Sequence, residues 1–313
     1  MIRFKLLLLT VLGSFVTRAH ASKLEAFALN PAYELLASGR SHYVVKTSRS
    51  EVLLLAVENL QSPLKLRDSS RHLVQAEFSP EGRFLLSVYK RVPGKSEIRI
   101  YDALTGQLLQ KTPELRELQI GFWLDECRYA SIAGPLENGA RLQVFKRPDL
   151  KLSPCAKKFI TNQTPPPRQA SMAFWRDTNF NVWTYYQNTA REVLSWLGKG
   201  SFYDFQNGAY PYFWFREAAT SSMLFRADAL AKKIQPLRSL DHFVADPESA
   251  KIYGVHKGLL FRAHIDSDYK PQEEQLLVLP KTLKLESLSL DKARKQLLLR
   301  DVKGSYFAFK LDS

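Results

Sequence analysis

Four short runs decide the reading of this chain: Leu73-Val74-Gln75-Ala76-Glu77-Phe78, Phe84-Leu85-Leu86-Ser87-Val88-Tyr89, Ile98-Arg99-Ile100-Tyr101 and Leu108-Leu109-Gln110. Each is rich in β-branched, aromatic or aliphatic residues and each ends at a turn signal. Between the first two stands Ser79-Pro80-Glu81-Gly82, where proline presets φ and glycine tolerates positive φ. Asp102-Ala103-Leu104-Thr105-Gly106-Gln107 joins the last two, with Asp and Gly at its hairpin ends. The alternation in Ile98-Arg99-Ile100-Tyr101 predicts a strand with one buried face. Residues 71–112 therefore predict one antiparallel four-stranded sheet.

Phe78-Ser79-Pro80-Glu81-Gly82-Arg83-Phe84-Leu85, followed by Ile98-Arg99-Ile100-Tyr101-Asp102-Ala103-Leu104-Thr105-Gly106-Gln107-Leu108-Leu109, resembles a blade of the WD-repeat-like propellers of bacterial secreted proteins. Tyr101-Asp102 stands where that family usually has Trp-Asp. The resemblance implies a fold and a platform role, not a chemistry.

Weaker copies extend the pattern. The second strand of successive blades is expected to begin at His42, Arg83, Arg128, Asn179, Ser221, Ala250 and Lys295. The mean spacing is about 42 residues, inside the range of about 40 to 45 for such repeats. Supporting runs are Tyr43-Val44-Val45-Lys46 and Val52-Leu53-Leu54-Leu55-Ala56-Val57 in the first blade, and Leu142-Gln143-Val144-Phe145 in the third. The short gap between Ser221 and Ala250 leaves a three-stranded fifth blade, or six blades in all, as alternatives. After Leu283–Leu290, Gln296–Arg300 and Tyr306–Leu311 no fourth strand remains for the last blade, while Leu24-Glu25-Ala26-Phe27-Ala28-Leu29 has no partner. An open blade would expose an unpaired edge. The expectation is thus an all-β, seven-bladed β-propeller closed by the N-terminal strand pairing into the last blade.

Ahead of it, Arg3 and Lys5 precede the apolar run Leu6–Val16, and Ala19-His20-Ala21 follows as a small-x-small cleavage site. That pattern predicts a secretory signal peptide over residues 1–21, with a single domain over 22–313 and a periplasmic or secreted location. An apolar run of that length spans only about 16 Å, too short for a bilayer core of about 30 Å. No other run suggests a membrane span. Thr161-Asn162-Gln163-Thr164-Pro165-Pro166-Pro167-Arg168 cannot donate to a ladder through its prolines and reads as a long connection between the third and fourth blades.

The 313 residues carry a formal charge of +14, with 45% hydrophobic and 12% aromatic residues, a globular composition. Fourteen glycines and two cysteines exclude collagen-like and disulfide-scaffold classes. Cys127 and Cys155 form an even pair, and an oxidising compartment invites a disulfide; two separate thiols are the alternative, because the expected register need not bring them within bridging distance.

No serine-hydrolase elbow, zinc-protease helix, phosphate loop or calcium loop is present in the sequence. His256 and His264 with Asp266 and Asp268 could meet across a hairpin as metal ligands, though such histidines are more often ordinary surface residues. Asp241-His242 lacks a recognisable serine partner. The sequence thus assigns no catalytic residue, metal or cofactor. Residues 141–170 carry Arg141, Lys146, Arg147, Lys151, Lys157, Lys158 and Arg168 against the single acid Asp149, which suits anionic partners over a Debye length of about 8 to 10 Å. Residues 171–215 hold 15 of the chain's aromatics. Wedges between blades would absorb most of them, while Tyr210-Pro211-Tyr212 is the candidate for an exposed, partner-gripping part. The reading is an exported, monomeric, non-enzymatic platform for a protein or an anionic envelope component, not for nucleic acid. The alternative is an exported propeller hydrolase or lactonase working at a central channel.

Overall fold

The computed structural model describes residues 24–66, 72–92, 94–116, 118–125, 128–133, 141–146, 174–176, 182–186, 189–192, 204–207, 212–216, 223–228, 233–246, 251–265 and 271–311. Strand β1 (Glu25–Phe27) stands alone at the start. The first sheet holds β2 (Tyr33–Ser38), β3 (His42–Thr47), β4 (Val52–Ala56) and β5 (Asn59–Lys65). The second holds β6 (Leu73–Phe78), β7 (Phe84–Val92), β8 (Lys95–Asp102), β9 (Leu108–Lys111) and the two-residue β10 (Leu115–Arg116). The third holds β11 (Leu118–Asp125), β12 (Arg128–Ala133) and β13 (Arg141–Lys146); the fourth holds β14 (Phe174–Arg176), β15 (Val182–Tyr186) and β16 (Thr189–Glu192). In the fifth are β17 (Asp204–Asn207), β18 (Tyr212–Arg216), β19 (Met223–Asp228) and β20 (Lys233–Ser239), and in the sixth β21 (His242–Ala245), β22 (Lys251–His256), β23 (Leu259–Ile265) and β24 (Pro271–Val278). The last sheet holds β25 (Leu285–Asp291), β26 (Gln296–Asp301) and β27 (Tyr306–Lys310), and β1 joins it through Glu25 opposite Ala308 and Phe27 opposite Tyr306.

Every strand pair is antiparallel. The turns form as their residues dictate. Gly82 has φ +79 and returns its amide to Ser79 O at 2.8 Å. Asp102 Oδ1 accepts from the amides of Leu104 and Thr105, both at 2.9 Å, before Gly106 at φ +64.

The core lies between successive sheets, and this explains the continuous apolar runs. Tyr43, Val45, Leu53 and Leu55 face the last sheet, packing on Leu298, Tyr306 and Ala308, while Val44, Val52 and Leu54 point the other way onto Leu85, Tyr89 and Tyr101. Successive strand residues alternate faces, so a sheet covered on both sides needs an apolar residue at nearly every position. The same division recurs in β22: Ile252 packs with Trp214 and Leu224 of the fifth sheet, and Tyr253 and Val255 with Leu297 and Leu299 of the last. Each such side chain stabilises the fold by about 1.5 to 3 kcal/mol. The first strands of neighbouring sheets lie against one another, β2 on β6, β6 on β11 and β21 on β25. A register shift recurs near the entrance of these inner strands, at Leu35/Ala37, Leu73/Gln75, Leu118/Ile120 and Leu285/Ser287.

The structure corrects two expectations and separates one pair of histidines that the sequence gives little weight. Ile98–Tyr101 is buried on both faces, not one: Arg99 is 5% exposed because its guanidinium pairs with Glu97 and lies over the Tyr89 ring at 4.5 Å. Second, the fifth sheet's second strand starts at Tyr212 rather than Ser221; the Ser221 run leads into the third strand, β19, and that sheet has four strands. Among the described residues the three-stranded sheets are the third and fourth. His256 pairs opposite Leu259 at the turn while His264 pairs opposite Lys251 at the far end of β23. About 16 Å of strand separates the two histidines, which therefore do not converge.

Candidate functional site

The turns that end β2 and β6 and follow β25 meet at one cleft of about 470 Å3, lined by Ser38, Arg40, Glu77, Phe78, Ser79 and Lys292 among others. Ser79, 3% exposed, fixes one wall by accepting the Phe84 amide at its Oγ, 3.2 Å away. Gly82 lies so close to the neighbouring turn that a Cβ there would come within 3.2 Å of Arg40 N.

Strand alternation turns the Glu77 side chain away from the first sheet. Ala76 and Phe78 pack into the core shared with the first sheet, so Glu77 takes the other face of β6. There the third sheet meets it. Trp123 Nε1 donates to Glu77 O at 3.1 Å, and Gln75 Nε2 donates to Gly121 O at 2.6 Å, lacing β6 to β11 across a gap that carries no strand ladder. Gly121 leaves room for this approach, since a Cβ would lie 2.9 Å from Ile98 Cδ1 and force that side chain to shift. Glu77 is half-buried, with its side chain on the face of β6 turned to the third sheet. Burial pushes its carboxyl up to about 7, opposed by the Trp123 backbone N–H. Among the described residues neither the Glu77 carboxylate nor the Arg40 guanidinium forms an ion pair, and the two do not pair with each other. Lys292 is 3.4 Å from Asp246 Oδ1.

Behind the same rim, between the last and first sheets, the polar groups are fully engaged. Asp291 is 0% exposed, and its Oδ2 accepts from Tyr43 OH at 2.6 Å, Arg294 Nη1 at 2.9 Å and Gln296 Nε2 at 3.0 Å. Arg294 also donates to Gly39 O and Arg40 O, at 3.1 and 2.7 Å, and lies over the Tyr43 ring. Burial first, and then the bond to Asp291, raise the Tyr43 hydroxyl well above the ordinary tyrosine range. This network holds the Arg40 turn in place. At the other end of the same inner strands, a cleft of about 530 Å3 contains charges that compensate one another: Arg300 Nη1 is 2.5 Å from Glu286, and Glu34 stands opposite Lys46 in the ladder.

No family model matches the chain, and no curated protein sequence does. Solved structures do. A chain of the mitotic checkpoint complex is similar over 99% of this chain and 100% of its own, at 11% identity and a TM-score of 0.50. U3-55K is similar over 93% and 99% respectively, at 12% identity and a TM-score of 0.57. The β-propeller domain of Cps50 (Swd1) from Myceliophteria thermophila matches over 93% and 100%, at 9% identity and a TM-score of 0.53. All three are WD40-type β-propellers. The fold is a WD-repeat-like β-propeller.

In the propeller, Arg141 and Lys146 open and close β13, opposite Ala133 and Arg128, so they stand at opposite ends of one strand. Tyr212 begins β18 opposite Asp228. Arg147, Lys151, Lys157, Lys158, Tyr210, Cys127, Cys155 and residues 1–21 lie outside the described residues. Farther along the aromatic stretch, Trp214 and Phe215 are 0% exposed, and Trp214 fills the wedge between the fifth and sixth sheets. Among the described residues no helix is long and apolar enough to cross a membrane. Sequence reading missed Arg40 and Glu77. Their one signal was the polar Gln75 and Glu77 at alternate positions of an otherwise apolar strand.

Proposed function

We propose that the protein is an exported, non-enzymatic, seven-bladed propeller of the bacterial secreted type that serves as a binding platform for a protein or anionic envelope component. The observation that carries this reading is the cleft at the turn ends. There the Arg40 guanidinium has no ion-pair partner among the described residues, whereas Asp291, Arg294 and Arg300 are consumed by the fold. The seven sheets and the pairing of β1 with β27 support seven blades closed by the N-terminal strand. Arg3, Lys5, the apolar run and Ala19-His20-Ala21 support export, and the Arg141–Lys158 stretch adds a cationic surface for an anionic partner.

Reversal of Lys146, Arg147, Lys151, Lys157 and Lys158 to Glu tests the platform. Retention on anionic envelope material should be abolished and should weaken steeply with salt in the parent, while an unchanged melting temperature shows that the loss is one of binding and not of folding. Reversal of the exposed Lys257, Lys281, Lys284, Lys303 and Lys310 controls for net charge. Equal losses in both variants would remove the patch from the reading.

A further inference from the structure

The cleft at the turn ends has three kinds of wall. Its charged rim is cationic: Arg40 is exposed and forms no ion pair among the described residues, and Lys292 joins it from the last sheet, 3.4 Å from Asp246 Oδ1. Glu77 adds main chain to this lining, because its side chain is turned to the third sheet. The floor is apolar. Ala37 and Ala76 line it, and the Phe78 ring lies so close to the first turn that a Cβ on Gly39 would come within 2.8 Å of it. The remaining walls are strand edges. β2 and β6 each stand at the end of their sheet, so one edge of each has no ladder partner. Consecutive residues of both strands line the cleft, which a strand edge offers and a strand face, with its alternating side chains, does not.

We propose that this cleft captures an extended acidic segment of a partner protein, with a Glu or Asp side chain on Arg40, main chain along the ladder-free edges of β2 and β6, and an apolar neighbour on the floor. The inference rests on the binding-platform reading and chooses a protein as the occupant of the cleft. A small inorganic anion would answer the rim alone. A polymer charged at every unit would bring charge onto Ala37, Ala76 and Phe78, where burial of a charge is costly. A peptide supplies a carboxylate, apolar side chains and amide groups together, and strand edges pair with extended segments through those amides. The guanidinium of Arg40 offers a planar fork matched to a carboxylate. Lys292 shares its charge with Asp246 and adds less. Arg294 donates to Gly39 O and Arg40 O, at 3.1 and 2.7 Å, so the turn that presents Arg40 is fixed before a partner arrives. The volume of about 470 Å3 lies within the range of about 300 to 1,000 Å3 that small sites occupy, which suits a short segment and not a folded face.

Three capped peptides test the assignment by calorimetry on the full mature chain: acetyl-Leu-Glu-Leu-amide, its Gln counterpart, and the Glu peptide with one backbone amide N-methylated. The parent should bind the Glu peptide about tenfold or more tighter than the Gln peptide, since the latter leaves Arg40 unanswered. N-methylation removes a main-chain donor and should weaken binding severalfold. Arg40→Gln should erase the preference for Glu over Gln, and Arg40→Lys should keep part of it, because the charge remains and the fork does not. Lys292→Gln should reduce the preference less than Arg40→Gln. No binding of the Glu peptide at millimolar concentration, equal affinity for the Glu and Gln peptides, or a preference that survives Arg40→Gln would each overturn the proposal. Inorganic polyphosphate that displaced the Glu peptide from the parent but lost nothing to Arg40→Gln would overturn it as well. Retention on envelope material, measured for the same proteins, tells the two readings apart. Retention without peptide binding sinks the cleft assignment alone, and peptide binding without retention removes the envelope component while the cleft assignment stands.

Discussion

Asp291 and Glu77 lie near the same end of two inner strands, β25 and β6, and their surroundings differ completely. Asp291 is 0% exposed and its Oδ2 accepts from a tyrosine, an arginine and a glutamine. Glu77 is half-buried with one backbone N–H and no cation among the described residues. A buried carboxylate with a full set of donors is part of the scaffold. One left short of donors costs the fold something. The seam between last and first sheets therefore stabilises the fold through a satisfied carboxylate, whereas the seam between the second and third carries one that weakens it when ionised.

The strongest challenge to this contrast removes the seam. Deletion of residues 24–29 takes away the ladder partner of β27, the Phe27 ring set edge-on against Tyr43 at 5.7 Å, and Leu29, 4% exposed. Burial of two large apolar side chains alone accounts for about 5 kcal/mol. Chemical denaturation should show a loss of that order, and an unchanged midpoint would mean that β1 has no structural role. Asp291→Ala should follow at about 3 kcal/mol, because it strands Tyr43 OH, Gln296 Nε2 and the Arg294 guanidinium together. Tyr43→Phe should cost distinctly less, since it removes a single donor and leaves the charge pair intact. A near-equal cost would show that Asp291 is held mainly by the tyrosine.

Much of this fold was legible because turn chemistry is local. Ser79-Pro80-Glu81-Gly82 and the Asp102–Gln107 hairpin place four strands of the second sheet within a residue or a few of their observed ends. The pairing partner of Leu24–Leu29 followed from an edge that would otherwise stand open. Burial of Arg99 was not legible, because alternation of apolar and polar residues normally marks a solvated face, and only the Glu97 pair and the Tyr89 ring make the position tolerable. The start of β18 at Tyr212 was missed because the repeat spacing pointed to Ser221, and Tyr212 itself was read as part of an exposed aromatic segment. The cleft was hidden for a different reason. Arg40, Glu77 and Lys292 come from three sheets, and no spacing along the chain records that they share one space.

The smallest effect sharpens the contrast most. Near pH 4 the Glu77 carboxyl carries its proton in both folded and unfolded chains. As pH rises past its ordinary value near 4.5 the unfolded chain ionises, whereas the folded chain holds the proton until about 7. Over that window the folded state binds more protons, so stability falls with rising pH and stays lower above 7. The shift corresponds to about 3 kcal/mol at 1.36 kcal/mol per unit, and because the residue is only half-buried, about 1 to 2 kcal/mol is the expected share. Glu77→Gln keeps the shape and removes the titration. Its midpoint of unfolding should match the parent at pH 4 and exceed it at pH 8, with the difference growing between pH 5 and 7. Asp291→Asn provides the opposite sign, since loss of a carboxylate that holds Arg294 should destabilise at pH 8. Were Glu77→Gln also to destabilise at pH 8, its ionised carboxylate would be satisfied within the fold, and the distinction between the two carboxyls would collapse.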